Sequence, residues 1–194
     1  KVHITHPKET TEAKTPEFLI PGGVFISEGH CWANINEEGM VKVGFDDFAR
    51  KLIGKIDAIE FPNLGLSIKK GQSLFAVKQG NRRVIFNAPV SGEVKEINKL
   101  LNTDLESIEF SPCEDNWICQ IDAEELDGEV SQLKIGKAAV TFYQEDIERL
   151  QTLKKKIKTA SEEDIANGHL YIGEMEKLDD VSWKRYSEEF FEKR

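Results

Sequence analysis

SLFAVKQGNRRVIFNAPVSGEV, the stretch Ser73–Val94, predicts a β-hairpin with a polar tip. Two apolar runs, LFAV and VIF, flank the polar sequence KQGNRR. Gly80 and Asn81 adopt the backbone conformations of a tight turn more easily than other residues, so we expect the turn there. The tip would then present four polar side chains to its surroundings: Lys78, Asn81, Arg82 and Arg83.

Short strand-like runs separated by turns surround this hairpin. They read FLIPGGVFI, HCWANI, MVKVGF, KIDAIEF and NWICQIDA. Asp46 has the character of a helix N-cap, the next apolar residues recur at helical spacing, and Gly54 ends the predicted helix. Many short strands with frequent turn signals predict a mostly β fold with some α, arranged as a compact barrel or sandwich.

The pattern becomes helical beyond Tyr143. Four apolar residues lie on one predicted helix face: Ile147, Leu150, Leu153 and Ile157. Four lysines occupy the rest of the surface: Lys154, Lys155, Lys156 and Lys158. We interpret the lysines as a solvated helix face, and a phosphate-binding patch is the alternative.

A second helix is predicted from Asp179 to the end of the chain. Its large apolar residues recur at helical spacing: Val181, Trp183, Tyr186, Phe190 and Phe191. So many apolar side chains on one short helix must pack on the β part of the chain or on another copy. We therefore expect a flexible segment at 1–17, a β domain at 18–135 and a helical extension at 136–194, with a homo-oligomer as one arrangement.

Composition excludes several classes of protein. The 194 residues carry a formal net charge of −9, which argues against a nucleic-acid partner. No apolar run reaches the roughly 20 residues of a membrane span. The odd number of three cysteines, Cys31, Cys113 and Cys119, forms neither a disulfide framework nor a zinc motif. We expect a cytoplasmic protein without a bound metal.

Four segments resemble one known family in order and spacing. SEGHCW, VKVGFDDFARKLIGKIDAIEFPNLGLSIKKGQSLFAVK, APVSGEVKEIN and NWICQI are together similar to the H protein of the glycine cleavage system. The resemblance runs from about Ser27 to Ala123 and implies a flattened β-barrel sandwich of the lipoyl/biotinyl type. It reaches neither the leading segment nor the helical extension.

In this family the hairpin tip carries a lysine that is lipoylated on its side-chain amine. The resemblance, counted without gaps from Gly71 and from Pro89, places that position at Asn81, whose side chain cannot accept a lipoyl group. Lys78 stands where the family has an acidic residue. We therefore expect no cofactor, and the alternative is lipoate attached to Lys78.

The four tip residues are our candidate partner-binding site. Arginine forks suit carboxylates and phosphates, so Arg82 and Arg83 indicate contact with a partner or an anion. A tip that is merely solvated is the other interpretation. The resemblance, without a lipoyl acceptor at Asn81, implies a non-lipoylated binding or scaffold protein, an accessory subunit of a redox or one-carbon complex, and not an enzyme. The alternative function is a lipoyl carrier modified at Lys78 that serves glycine cleavage or related dehydrogenase chemistry.

Other candidate chemistry in the sequence is weaker. His30 and Cys31 are adjacent, and adjacent strand residues point to opposite faces, so we expect a structural His30 rather than a nucleophile pair. Asp46 and Asp47 fit helix capping. A thiol enzyme or redox sensor using Cys31, or Cys113 with Cys119, is a third hypothesis.

Overall fold

The computed structural model describes residues 18–109, 115–157 and 172–192. Within these ranges the strands are β1 (Phe25–Ile26), β2 (Cys31–Ile35), β3 (Met40–Phe45), β4 (Ala58–Glu60), β5 (Ser67–Ile68), β6 (Ser73–Gln79), β7 (Arg82–Asn87), β8 (Gly92–Ile97) and β9 (Cys119–Ala123). The α-helices are α1 (Asp47–Ile53), α2 (Leu126–Val130), α3 (Lys137–Ile157) and α4 (Asp180–Phe190). Single turns of 3₁₀ helix occupy Lys99–Asn102, Glu106–Glu109 and Glu174–Lys177.

The strands form two antiparallel sheets. One has the order β1-β2-β3-β9-β8-β5, and the other has the order β4-β6-β7. Apolar side chains of the two sheets pack against each other. The ring centroid of Phe45 on β3 lies 5.4 Å from that of Phe86 on β7 and 6.4 Å from that of Phe75 on β6. The predicted mostly β, sandwich-like fold with added helices is confirmed.

The predicted hairpin is the pair β6 and β7. Gln79 pairs with Arg82 across the end of the hairpin, so Gly80 and Asn81 form the turn. Gly80 takes a positive φ of 61°, the left-handed conformation that glycine adopts without strain. Turn chemistry in the sequence therefore predicted the tip correctly.

The helix after β3 also begins and ends where the sequence predicts. The side chain of Asp46 accepts a hydrogen bond of 2.9 Å from the backbone N–H of Ala49, which caps α1. Gly54 ends the helix at φ 80°. Phe48 and Leu52 lie one turn apart and are fully buried, so α1 is fixed to the sheets by its apolar face.

Among the described residues, the C-terminal helices α3 and α4 pack on the β part of the same chain. On α3, Leu150 is fully buried and Leu153 nearly so, as the spacing predicts. On α4 the buried apolar residues are Trp183, Tyr186 and Phe190, and Phe191 follows directly after the helix. Val181 differs from the expectation because 80% of its surface is exposed.

The predicted solvated lysine face is wrong at Lys154. This side chain is buried, and its Nζ lies 2.9 Å from Oε2 of the buried Glu174. Lys154 follows Leu150 by four residues and therefore shares the inward face of α3. Lys155 and Lys156 are exposed, as expected.

Several sequence expectations fall outside the described residues. The leading segment 1–17, Cys113 and Lys158 belong there. The division of the chain at residue 135 stays a prediction; the same apolar core contains side chains from both sides of it. In the parts of the chain that the structure describes, no helix is both long and apolar enough to cross a membrane.

Candidate functional site: the hairpin tip

Backbone hydrogen bonds with Asp57 hold the hairpin tip in place. The N–H of Gly80 donates to Oδ2 of Asp57 at 2.6 Å, and the N–H of Asp57 donates to the carbonyl of Lys78 at 2.8 Å. Asn81 beside Gly80 is exposed. The turn is therefore anchored through its backbone, while the side chain of Asn81 faces solvent.

Two polar residues precede the turn and two follow it, and strand alternation divides them into two flanks. Successive side chains of a strand point to opposite faces. Gln79 pairs with Arg82, and Lys78 pairs with Arg83. We call the first pair the covered flank and the second pair the open flank, for the contacts described next.

The covered flank is occupied by the segment 172–192, which we call the C-terminal cover. Nε of Arg82 donates to Oδ1 of Asp180 at 2.9 Å, and its Nη2 donates to the carbonyl of Leu178 at 2.8 Å. The guanidinium carbon lies 5.8 Å from the centre of the Trp183 ring. The indole N–H of Trp183 donates to Oε1 of Gln79 at 3.1 Å. Arg82 is therefore engaged within its own chain.

The open flank carries two cations around one carboxylate. Nζ of Lys78 lies 3.0 Å from Oε1 of Glu60, and Nε of Arg83 donates to Oε2 of Glu60 at 2.7 Å. Hydrogen bonds from Lys78 and then Arg83 hold the pKa of Glu60 below its ordinary value. The side chains of Lys78 and Arg83 remain 43% and 52% exposed.

Buried and backbone contacts anchor the cover at its N-terminal end. The hydroxyl of Tyr186 donates to Oε1 of Glu174 at 2.9 Å, and Glu174 also pairs with Lys154 of α3. The N–H of Gly173 donates to the carbonyl of Lys51 at 2.7 Å. The cover therefore connects α3, α1 and the hairpin tip.

His30 lies away from the tip in a buried charged network. Its Nδ1 is 2.7 Å from Oδ2 of Asp46, and its Nε2 is 2.7 Å from Oδ2 of Asp146. Asp146 also pairs with Arg149, and the imidazole stacks on Phe48 with the ring centroids 4.3 Å apart. The network ties the end of β3 to α3, so His30 has the structural position that we expected.

The two described cysteines lack the environment of a reactive thiol. Cys31 and Cys119 are fully buried, and burial is the main cause that raises the pKa of each thiol, that of Cys119 to about 12. Asp46 raises the pKa of Cys31 further. Because the thiolate is the nucleophile, these positions do not favour the hypothesis of a thiol enzyme. Within the ranges described, no three His, Cys, Asp or Glu side chains are grouped to hold a metal ion.

The sequence predicted the tip but missed the residues that engage it. Trp183 and Asp180 are separated from the hairpin by about a hundred positions, and no local pattern relates them to Gln79 and Arg82. Asp146 carried one usable signal. It lies four residues from both Phe142 and Leu150, so a charged residue interrupts a buried helix face and requires a partner.

Comparisons with known proteins identify the family of this chain and support its fold. Residues 24–146 match the sequence model of the family described as Glycine cleavage H-protein, and the chain belongs to that family. The predicted resemblance is confirmed.

Curated relatives carry the same family name. The chain is 32% identical over 126 residues to the probable glycine cleavage system H protein of Thermococcus gammatolerans, a match that covers 65% of this chain and 93% of the relative. It is 36% identical over 117 residues to the corresponding protein of Pyrococcus abyssi, covering 60% of this chain and 87% of the relative.

A solved structure supports the fold. The crystal structure of a glycine cleavage system H protein from Mycobacterium marinum aligns with a TM-score of 0.57 at 23% identity. The alignment covers 66% of this chain and 98% of that chain. The helical residues beyond 146 lie outside the family match.

Family membership corrects one expectation. We expected no cofactor because the gapless count places the family's lipoyl position at Asn81. That expectation is wrong, because glycine cleavage H proteins carry lipoate and the relatives point to this cofactor. The equivalence of Asn81 with the lipoyl position stays a prediction, as does the partner-binding role of Lys78, Asn81, Arg82 and Arg83.

Proposed function

We propose that the protein is a non-catalytic subunit that binds other proteins of the glycine cleavage system through its hairpin tip. The observation that carries the proposal is a backbone-anchored tip with an exposed Asn81, on a scaffold of the H-protein family. Catalysis would then belong to the proteins that it binds.

This docking role does not depend on a lipoyl group at Asn81. The side-chain amide of asparagine is not the primary amine that lipoate attachment requires. A backbone hydrogen bond from Gly80 to Asp57 pre-organises the turn, and a rigid binding element loses little conformational entropy on association. Docking can therefore rest on shape and polar contacts at the tip.

A lipoyl carrier modified at Lys78 is the second candidate function. Family membership favours it, because H proteins carry lipoate. Lys78 lies on the hairpin itself, and 43% of its side chain is exposed. Its ion pair with Glu60 is partly exposed, and pairs of that kind are weak enough to open for a modifying enzyme.

One experiment separates the two candidates. The full chain is co-expressed with a lipoate ligase in medium containing lipoate, and its intact mass is measured beside that of a Lys78→Arg variant. Both modified and unmodified forms are then tested by surface plasmon resonance against purified proteins of the glycine cleavage system. Because Lys78→Arg keeps the charge beside Glu60, it removes the amine alone.

We expect the unmodified chain to bind a glycine cleavage protein, and Asn81→Ala to weaken that binding by about tenfold, the effect of a modest interface contact. Binding that requires a lipoyl group on Lys78 would select the carrier function instead. Absence of binding by both forms would reject docking to glycine cleavage proteins.

A further inference from the structure

The two flanks of the hairpin differ in what can reach them. Arg82 and Gln79 contact the C-terminal cover, whereas Lys78 and Arg83 do not take part in those contacts. We infer that the cover restricts the tip to one direction of approach, and that the open flank receives an acidic surface of a partner protein. The partner half of this inference rests on the proposed docking function; the covering of the tip does not.

The cover is built into the folded core and is not a loosely attached tail. Phe190 and Phe191 are fully buried, and the Phe191 ring lies 5.5 Å from that of Phe86 on β7. Phe190 also lies 5.6 Å from Phe48 of α1. A partner that displaced the cover would expose these aromatic rings to water, so a partner that leaves it in place is favoured.

The contacts between the cover and the hairpin tip are more exposed than the buried aromatic contacts of the cover. Arg82 reaches Asp180, whose side chain is 89% exposed, and the carbonyl of Leu178. Trp183 shields one side of the guanidinium. These contacts occupy Nε and Nη2 of Arg82, and its side chain is only 25% exposed, against 52% for Arg83. Arg82 is therefore the less accessible of the two arginines while the cover is in place.

The chemistry of the open flank defines the partner. Lys78 and Arg83 share a single carboxylate, Glu60, and leave one positive charge in a chain whose net charge is −9. A guanidinium has more donors than one carboxylate can accept, and its fork suits a second carboxylate. A protein surface that presents Asp or Glu side chains fits this flank.

The first test measures whether the cover protects Arg82. The full chain is treated with phenylglyoxal, and the modification of each arginine is followed by peptide mass spectrometry. Both arginines are hydrogen-bonded, but Arg82 lies against the Trp183 ring and is about half as exposed as Arg83. We therefore expect Arg82 to react about tenfold more slowly than Arg83. Equal rates at the two arginines would overturn the covering of the tip.

A variant of the cover provides a matched comparison. Asp180→Ala removes one exposed partner of Arg82 and should raise its rate about threefold without changing that of Arg83. Lys184→Ala lies on the same helix, pairs only weakly with Glu188 at 3.7 Å, and should change neither rate. An unchanged rate at Arg82 in Asp180→Ala would contradict the assigned contact.

The second test uses an octaglutamate peptide as a probe of the open flank. Titration of the ¹⁵N-labelled full chain should shift the amide signals of Lys78, Asn81 and Arg83 most, and Arg83→Gln should weaken binding about fivefold with the loss of one charge-assisted contact. Lys155→Gln, at the rival exposed lysine cluster of α3, should have no effect. Largest shifts at α3, or no binding at low salt, would overturn the acidic-partner inference.

These outcomes are separable from the proposed function. Failure to bind glycine cleavage proteins would remove the named partners but leave the protection of Arg82 unaltered. Equal reactivity of Arg82 and Arg83 would remove the cover but leave docking by the tip untouched.

Discussion

A single histidine connects the β part of the molecule with its long helix. Both ring nitrogens of His30 lie 2.7 Å from a carboxylate oxygen, and both can donate only when the imidazole carries two protons. Asp46 and Asp146 are themselves buried. Each charge in this network therefore depends on its neighbours, since an isolated buried charge is strongly unfavourable.

We predict that His30→Ala lowers the free energy of unfolding by about 3–5 kcal/mol, because it leaves two buried carboxylates without their shared partner. Urea denaturation followed by circular dichroism measures the change. Lys184→Ala, an exposed position, serves as the control and should stay within about 0.5 kcal/mol. A loss below 1 kcal/mol in His30→Ala would show that the network contributes little.

Because Cys31 and Cys119 are buried, we predict that the stability of the protein falls at alkaline pH. Burial raises the pKa of Cys119 from 9.0 to about 12 and raises that of Cys31 as well. Between pH 9 and about pH 12, the Cys119 thiol loses its proton in the unfolded chain and keeps it in the folded chain. The unfolding free energy should therefore fall as the pH rises above 9, by up to about 1.4 kcal/mol per pH unit for each thiol.

Urea titrations at pH 7.5 and at pH 10 test this sign. Replacing Cys31 and Cys119 by alanine removes their contribution, so the double variant should lose less stability over the same interval. Lysines and tyrosines titrate in both proteins and cancel in the difference. An equal loss in both proteins would refute the role of the thiols.

At the scale of an element, α3 shows how adjacent lysines can have opposite environments. Lys154 points inward and pairs with Glu174, whereas Lys155 is exposed. The helical period of 3.6 places Lys154 above Leu150 and turns Lys155 away from the core. Composition alone made Lys154 and Lys155 equivalent; the helical period separates them.

We predict that Lys154→Ala destabilises the protein by about 3 kcal/mol or more, because Glu174 would keep a buried charge without its cation. Lys155→Ala is the matched control and should change the stability by less than about 0.5 kcal/mol. Thermal melts monitored by near-UV circular dichroism compare the two. Similar melting temperatures for both variants would exclude a structural role for the Lys154 pair.

At the scale of the whole molecule, the C-terminal cover completes the core of the H-protein-like fold. Its buried aromatic side chains are Trp183, Tyr186, Phe190 and Phe191. They belong to the same apolar cluster as the facing strands and α1. The apolar helix that the sequence left without an assigned partner thus packs within its own chain.

We predict that a chain ending after Lys177 loses cooperative folding or aggregates. Truncating one buried aromatic side chain costs about 3–5 kcal/mol, while a whole domain is stabilised by about 5–15 kcal/mol. Sedimentation velocity and thermal denaturation measure the outcome. Removing only 192–194 controls for the shorter length, and a chain ending after Lys177 that stays monomeric and equally stable would contradict the prediction.

Local chemistry was sufficient for the hairpin and for α1, whereas the family was indicated by the resemblance of four segments in order and spacing. Alternating apolar runs, a Gly-Asn turn and an Asp cap act over a few residues, so they can be recognised without knowing where the chain goes next. The same local signals predicted which face of α3 is apolar. They gave no reason to expect Lys154 in that face.

Only the tertiary structure decided which side chains meet. His30 bonds Asp146 across 116 positions, and Arg82 bonds Asp180 across 98. Such pairs depend on the path of the whole chain and on which helix and sheet faces pack together. Neither can be inferred from the hydrophobic periodicity of a short segment. The sequence therefore placed a polar tip on the hairpin, and the fold divided the residues beside the turn into a covered pair, Gln79 and Arg82, and an open pair, Lys78 and Arg83.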